Sequence, residues 1–396
     1  MSGLPRRLAM TMVSAASRML PPTLSTWAGA MARELVEIED DRAALLFAAG
    51  CLRAAAGLAF RARLGSAGAA LRAALFPLPL SLWSLATMNG LSARPRLLGL
   101  LCAAFAVGLG MAYMSAAGAP SRYLLVNLAA LVLGATAWLA LAGAGRSRLA
   151  GAGATVMVLA LALVLTAFFG TAAEGASRWV MVGPLGLQVS LILVPVMTIL
   201  YARRPDAAGT AGMIVAALAL ALQPDRAMAG VLAAGLLALL ASKPGRLPAL
   251  AAAASILAFG STLLLPESLQ ASAYVDQVLY TAFAVHPLAG AAVVTGAAAL
   301  VVPAAAGLAG RGGEDRAPLL AFGACWAAVI AAAALGNNPT PLVGYGGSAV
   351  LGYLLSVSLL PAGARRAGAG AAAASPPAGD PGVDQTLPDL RAARPA

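Results

Sequence analysis

Long apolar runs separated by short polar connections dominate the chain from Leu97 onward. Many of these runs approach the length of about 20 residues with which a helix crosses a bilayer core of ~30 Å. The run at 278–309 is longer, and Pro287 and Pro303 are expected to kink or end its helix. The ten runs lie at 97–117, 122–143, 148–169, 184–201, 207–222, 227–241, 247–265, 278–309, 317–335 and 349–361. The pattern predicts an all-α polytopic membrane protein of about ten transmembrane helices.

The composition supports this fold class, because 61% of the 396 residues are hydrophobic, 10% are charged and the mean hydropathy is +0.86. The excess of 26 Lys and Arg over 15 Asp and Glu does not indicate nucleic-acid binding, since the basic residues fall in every second connection. Basic connections of this kind are cytoplasmic in membrane proteins. They contain Arg94/Arg96, Arg146/Arg148, Arg203/Arg204, Lys243/Arg246, Arg311/Arg316 and Arg365/Arg366. The remaining connections are therefore predicted to be external.

Three regions follow from the distribution of charge and apolar residues. Residues 1–94 are predicted to form a helical cytoplasmic or interfacial region, in which Met31, Leu35 and Ile38 make one apolar stripe. Within it, basic flanks favour an interfacial or re-entrant segment over a full span at Phe76–Gly90. Residues 95–362 hold the ten spans. Residues 363–396 are rich in Ala, Gly, Pro and Arg and are predicted to be a disordered tail, so both termini are expected in the cytoplasm.

Common catalytic and metal-binding motifs of soluble enzymes are missing from the sequence. It has no Walker loop, zinc-protease helix or GxSxG elbow, and the single histidine, His286, rules out a site built on a pair of histidines. Cys51, Cys102 and Cys325 lie in or beside apolar runs without C-x-x-C spacing, which indicates packing residues rather than a disulfide framework or a zinc site. No metal ligand is predicted from these residues.

The distinctive polar residues collect in the connections predicted to be external. The most unusual is the glycine-dense break Gly344–Ser348, which follows Asn337–Pro341 and cannot continue a helix. Three other stretches precede it: Ser177–Gln188, which contains Arg178-Trp179 and Gly183-Pro184; Leu222–Asp225; and Val275–Leu279, which contains Asp276. Each one alone could be an ordinary turn between helices, but their order and common membrane side point to a shared site.

Taken in this order, the four stretches resemble motifs of the SEDS family of shape, elongation, division and sporulation proteins, which includes FtsW, RodA and SpoVE. Ser177–Gln188 is similar to the family's G-x-x-R-W-I…G-P-x-x-x-Q-P-S-E, Leu222–Asp225 to its L-Q-P-D, and Pro339–Ser348 to its P-x-P-x-x-S-Y-G-G-S. Alignment with its T-D-F-I-F places the family's acid on Asp276 and a family glycine on Gly290. The resemblance covers about residues 95–361.

The resemblance implies a peptidoglycan glycosyltransferase that polymerises lipid II, a polyprenyl-pyrophosphate-linked disaccharide peptide, at the outer face of the bacterial inner membrane. Such a protein acts in cell division or cell-shape maintenance with a class B penicillin-binding protein as partner. No cofactor is certain, although a divalent metal ion is compatible with this chemistry. Asp276 would be the general base, with a cap of the eighth helix as its structural alternative. The substrate-binding residues would be Arg178, Trp179, Gln188, Asp225, Tyr345 and Ser348.

Several departures from the family pattern keep two other functions open. The family's Q-P-S-E is Gln188-Val189-Ser190-Leu191 here, its Glu-Glu pair is replaced by Ala284-Val285, and its long external loop before the eighth span is reduced to roughly Pro266–Val275. These losses favour a non-catalytic binding or regulatory subunit of the cell-wall machinery. A ten-span bundle with a polar external cavity is also typical of a transporter, here of a lipid-linked precursor.

Overall fold

The computed structural model describes residues 4–20, 24–55, 94–142, 151–173, 176–183, 185–265, 270–309 and 316–362. The predictions for Phe76–Gly90 and for the tail at 363–396 lie outside these ranges, as do the basic residues Arg146, Arg148 and Arg311.

The predicted all-α architecture is confirmed, because helices make up nearly all of the regular structure described. Near the N-terminus lie α1 (Leu4–Met19), α2 (Ser25–Glu37) and a helical segment at 41–55. The membrane region contains α3 (Pro95–Ala116), α4 (Ser121–Ala142), α5 (Ala152–Phe169), α6 (Val189–Arg203), α7 (Ala207–Leu222), α8 (Arg226–Ser242), α9 (Arg246–Leu263), α10 (Val278–Val285), α11 (Pro287–Ala299), α12 (Val302–Ala309), α13 (Arg316–Leu335) and α14 (Gly347–Ser358).

A helical segment corresponds to each of the ten predicted runs. Among the described residues, five helices are long and apolar enough to cross a membrane: α3, α4, α5, α9 and α13. The pair α11 and α12, bent by 46°, makes a sixth if it is one span. The apolar helices α6, α7, α8 and α14 are shorter. The run at 278–309 is broken twice, as its prolines predict, since α11 begins at Pro287 and α12 has Pro303 as its second residue.

Two arginine residues at helix ends contact the end of α14 at one end of the bundle. Arg96 Nε donates to the carbonyl oxygen of Leu360 at 2.5 Å, and Arg203 Nη1 donates to that of Leu359 at 2.5 Å. Both contacts satisfy carbonyl groups that the C-terminal end of α14 leaves without intrahelical partners. The beginning of α3, the end of α6 and the end of α14 are thereby joined, as the alternation of basic connections predicts.

Small residues allow the helices to approach closely inside the bundle. A Cβ atom on Gly352 of α14 would overlap the carbonyl oxygen of Leu191 in α6, and one on Gly110 of α3 would overlap the backbone of Val343. Such contacts are typical of membrane helices, which associate by packing through small faces.

One part of the fold differs from the sequence prediction, because a small antiparallel sheet lies between α5 and α6. Its strands β1 (Thr171–Ala173), β2 (Ala176–Val182) and β3 (Leu185–Gln188) pair in sequence order. The apolar run at 184–201, predicted to be helical throughout, therefore begins as a strand, and its helix begins at Val189. Cross-strand pairing of Trp179 with Gln188 sets the register of β2 and β3.

The N-terminal helices have a small hydrophobic core of their own, built from Ala9, Val13, Leu35, Ala44 and Ala48. Met31 and Ile38, the other members of the predicted apolar stripe, pack against it. The stripe on α2 therefore contacts neighbouring helices, which explains why Leu35 is buried.

Candidate functional site

A cavity of about 400 Å³ lies at the end of the bundle opposite to the arginine contacts of α14. Its walls come from β2, β3, the segment before α10 and the loop before α14. Six of the seven residues predicted for the site line it: Arg178, Trp179, Gln188, Asp276, Tyr345 and Ser348. The seventh, Asp225, is fully buried beside the cavity and contacts its lining residues.

Asp276 is held in a tight turn before α10. Its Oδ2 atom accepts a hydrogen bond from the Ser272 backbone N–H at 2.8 Å, and its own N–H donates to the Ser272 carbonyl oxygen at 3.0 Å. The residue is 8% exposed, and burial raises the pKa of its carboxyl group, against the smaller opposing effect of the Ser272 N–H. The structural alternative of a helix cap is wrong, because Gln277 precedes α10 and the carboxylate bonds Ser272 instead.

The Asp276 turn is joined to the loop at 337–346 by backbone pairing. Asp276 forms an antiparallel bridge with Pro339, and the Thr340 N–H donates to the Val275 carbonyl oxygen at 2.9 Å. Further along, the Tyr345 N–H donates to the Tyr274 carbonyl oxygen at 2.6 Å. Two stretches separated by more than 60 residues in sequence therefore form one wall of the cavity.

Backbone strain accompanies this pairing. Tyr274 and Gln277 on either side of Asp276 have φ values of 64° and 56°, and Leu342 in the facing loop has a φ of 60°. Side chains larger than glycine rarely adopt this left-handed region, and such outliers persist where the surrounding structure fixes them. The strain therefore marks the wall around Asp276 as a segment whose shape is imposed by its contacts.

Tyr345 contributes its ring to an aromatic cluster. It stacks on Tyr123 with ring centroids 3.9 Å apart, and Tyr123 packs edge-on against Tyr274 at 6.1 Å. The Tyr274 hydroxyl donates to the Ala117 carbonyl oxygen at 3.1 Å. The cluster joins the glycine loop (Gly344–Ser348) to the connection between α3 and α4, so Tyr345 has a packing role beside its place in the cavity wall.

Arg178 lies on the opposite wall, where its guanidinium group is largely engaged by protein. Nη2 donates to the Pro224 carbonyl oxygen, and Nη1 lies 3.9 Å from Asp225 Oδ1 in a buried ion pair. A bidentate contact of the Nη fork with a phosphate group would require these partners to be released. Nε is buried and has no hydrogen-bond partner among the described residues.

A buried polar network stabilises the wall that carries Arg178. Ser190 Oγ donates to Asp225 Oδ2 at 2.6 Å, and Gln188 Nε2 lies 3.4 Å from both groups. Asp225 Oδ1 accepts from the Met228 N–H at 3.3 Å, which caps α8. Asp225 therefore acts in the structure as an anchor for Arg178 and Gln188.

Sequence reasoning missed Asn127, a fully buried residue of α4. Its amide group bonds the glycine loop at two points, with Nδ2 donating to the Gly344 carbonyl oxygen and Oδ1 accepting from the Gly346 N–H. The signal was available, because an asparagine inside an apolar span is costly unless it has partners. His286, in contrast, caps α11 by accepting the Leu288 N–H at 3.1 Å.

A divalent cation would have to be held chiefly by Asp276. The described residues contain no group of three His, Cys, Asp or Glu side chains suited to a metal, and Asp276 is the acidic residue that lines the cavity. Mg²⁺ commonly binds one or two protein carboxylates and completes its coordination with water and substrate phosphates. The residues present therefore fit a metal that arrives with a phosphate ligand and would neutralise charge on that phosphate.

Comparisons with known proteins give a structural likeness. No family model and no curated protein sequence matches the chain. The crystal structure of the rod shape determining protein RodA of Thermus thermophilus matches with a TM-score of 0.50 and 24% sequence identity, covering 66% of this chain and 94% of that one. A mutant of the same protein matches at 0.49 and 22%, covering 66% and 95%. The chain therefore has a fold similar to that of RodA, which is the fold that the resemblance of its motifs implies.

Proposed function

We propose that this protein handles a polyprenyl-pyrophosphate-linked glycan precursor in its cavity and polymerises it as a divergent peptidoglycan glycosyltransferase. The precursor would be lipid II, and the cavity would face the outside of the bacterial inner membrane, with both termini in the cytoplasm. One observation carries the proposal: Asp276 and Arg178, a carboxyl group and a cation from distant parts of the sequence, line the same cavity. This cavity lies at the end of the bundle opposite to the contacts of Arg96 and Arg203 with α14.

Asp276 has the properties of a general base for glycosyl transfer. In this reaction the acceptor hydroxyl forms a bond to the anomeric carbon of the donor sugar while the bond to pyrophosphate breaks. The carboxylate takes the proton that the acceptor hydroxyl loses. Burial raises the pKa of Asp276 towards the working range of pH, where general-base catalysis is efficient, and its Oδ1 atom accepts no hydrogen bond from the described residues.

The opposite wall suits the pyrophosphate leaving group. The Arg178 Nε–H is a buried donor without a partner among the described residues, and a charged donor of this kind gives a strong hydrogen bond to a phosphate oxygen. Trp179 beside it also lines the cavity, and tryptophan is a residue type enriched at the depth of lipid headgroups. Pyrophosphate would therefore lie towards β2.

The wall around Asp276 suits the sugar of the acceptor. It is lined by neutral side chains that exchange hydrogen bonds with hydroxyl groups: Gln270, Ser272, Asn337, Asn338 and Thr340. The Thr340 hydroxyl is buried without a partner among the described residues. Because a buried polar group without a hydrogen bond is unfavourable, the Thr340 hydroxyl favours a ligand that supplies the missing bond.

A class B penicillin-binding protein would be the partner that acts on the glycan in division or cell-shape maintenance.

The proposal is tested by giving purified protein lipid II with a divalent metal and separating the products on a gel. Wild-type protein should form glycan polymer, and Asp276→Asn should lower the rate by about 10² to 10⁴, as is typical for loss of a general base. Asp206→Asn is the matched control, since Asp206 caps α7 at the basic end of the bundle by accepting the Gly209 N–H at 2.7 Å. Equal polymerisation by wild type and Asp276→Asn would reject Asp276 as the base.

A non-catalytic binding subunit is the second candidate function, and one observation favours it. The Nη atoms of Arg178 are held by Pro224 and Asp225, so a large part of the cation expected to neutralise pyrophosphate already serves the fold. A wild-type protein that binds lipid II and forms no polymer with or without its partner would select this function. Movement of lipid II between leaflets of a vesicle would select transport instead.

A further inference from the structure

Asn127 lies inside an apolar helix and uses both ends of its amide group on one loop. It stands six residues into α4, about 9 Å along the axis at 1.5 Å per residue. Nδ2 donates to the Gly344 carbonyl oxygen at 2.8 Å, and Oδ1 accepts from the Gly346 N–H at 3.0 Å. These bonds satisfy two backbone groups of a non-helical segment, which cannot satisfy them by itself.

The loop that Asn127 holds cannot be replaced by regular structure. Gly346 has a φ of 156°, and a Cβ atom on Gly344 would lie 2.9 Å from the Thr340 carbonyl oxygen and 3.1 Å from that of Val275. The backbone therefore passes where a side chain would collide, and hydrogen bonds to Asn127 and Tyr274 hold its polar groups. Its shape depends on contacts made from outside the loop.

The same loop supports both walls of the cavity. On one side, the Tyr345 and Thr340 N–H groups donate to the carbonyl oxygens of Tyr274 and Val275, next to Asp276. On the other side, Ser348 Oγ accepts the N–H of Gln188 at the end of β3. A displacement of the loop would therefore move the Asp276 wall relative to the sheet that carries Arg178.

We propose that Asn127 is a positioning residue of the cavity, which fixes the loop at 344–346 and through it holds the Asp276 turn opposite the β-sheet. Asn127 does not line the cavity, so it acts through the loop. An effect of Asn127 on polymerisation rests on the proposed function, whereas its effect on the position of the Asp276 turn does not.

Hydrogen exchange measured on the full chain in nanodiscs tests the coupling without any assay of activity. Asn127→Leu keeps the number and branching of the side-chain heavy atoms and makes α4 more apolar, while it removes both bonds to the loop. The Gly346, Tyr345, Thr340 and Ser272 amides should then exchange about tenfold faster, the factor that corresponds to one lost hydrogen bond. Thr136→Val is the control on the same helix, because the Thr136 hydroxyl donates within α4 to Val132.

Asn127→Asp is the conservative variant. It keeps an acceptor for the Gly346 N–H but can donate to the Gly344 carbonyl only when protonated, so protection of the loop should return as the pH falls. Asn127→Asp therefore tests the same hydrogen bonds if Asn127→Leu does not fold. Faster exchange confined to 344–346, with 270–277 protected as in wild type, would overturn the positioning role.

The pH dependence of polymerisation separates positioning from simple loss of stability. A loosened turn admits water to Asp276, which lowers its raised pKa, so the acid limb of the rate profile should move to lower pH in Asn127→Leu. An unchanged limb with only less folded protein would also count against the proposal. If exchange increases in both segments while wild type forms no polymer, the coupling stands and the glycosyltransferase function fails.

Discussion

The backbone N–H of Gln188 donates to the Ser348 hydroxyl oxygen at 2.9 Å, across 160 residues of sequence. Both residues are buried and both line the cavity. Gln188 ends β3, and Ser348 stands in the first turn of α14, so this bond joins the sheet to the glycine loop. It is the counterpart of the backbone pairing that joins the same loop to Asp276.

Ser348→Ala should weaken this junction. The Gln188 N–H would stay buried without its acceptor, which typically costs about 1–3 kcal/mol. We expect a lower midpoint of thermal unfolding in detergent and weaker binding of lipid II. Ser358→Ala on the same helix is the control, because the Ser358 hydroxyl donates only to the Leu355 carbonyl within α14. Equal unfolding midpoints for the two variants would contradict the importance of the Gln188 contact.

Asp225→Asn should destabilise the sheet side of the cavity strongly. The substitution leaves Arg178 buried without its anionic partner, and breaking such a pair on one side typically costs about 3–5 kcal/mol. Asparagine still caps a helix, so loss of the α8 cap does not explain a large effect. The free energy of unfolding measures this loss. The double variant Asp225→Asn with Arg178→Met should recover part of the stability; a purely additive result would show that the two groups are not coupled.

Arg178→Lys separates a phosphate contact from an anchoring role. Lysine keeps the charge but has no Nε–H and no planar group, so it cannot donate to Pro224, pair with Asp225 and present a third donor in the same geometry. We expect weaker binding of a polyprenyl pyrophosphate, measured by ligand-induced thermal stabilisation. A variant with reduced stability but unchanged ligand affinity would assign Arg178 to the fold alone.

Asp276→Asn should change stability in a pH-dependent way. Folding raises the pKa of this carboxyl group. The free energy of unfolding therefore falls as the pH rises from the ordinary Asp pKa of about 3.9 through the raised value, because the buried group becomes ionised and burial disfavours the charged form. Asparagine avoids this loss and can still accept the Ser272 N–H. The variant should therefore unfold at the same or a higher temperature than wild type at pH 8, and the difference should vanish near pH 4. A variant that is less stable at pH 8 would show that the charged carboxylate is stabilising.

Cysteine labelling from outside the cell tests the proposed orientation. In a background where Cys51, Cys102 and Cys325 are replaced by alanine, an impermeant reagent should reach Ser121→Cys and not Pro244→Cys. Ser121 is exposed at the cavity end of α4, and Pro244 is exposed between α8 and α9 at the basic end. The reverse pattern would place the cavity in the cytoplasm and exclude a role in external polymerisation.

Local sequence patterns predicted much of this architecture. Apolar runs between basic connections predicted ten helical segments, because the length of a span and the side of its charges are set by the bilayer, which acts on each segment separately. The proline positions predicted the breaks in the run at 278–309, since proline interrupts a helix wherever it stands. The polar stretches were also correctly expected to share one end of the bundle.

Tertiary structure decided how these parts form a site. The first residues of the run at 184–201 became a strand because β2 pairs with them, which overrides their apolar pattern. Asp225 became a buried anchor through its contact with Arg178, and Asp276 bonds Ser272 instead of capping α10. Asn127 reached the glycine loop across 217 residues. Hydrogen bonds between distant segments carry no periodicity in sequence, so only the packed bundle determines which buried polar groups meet.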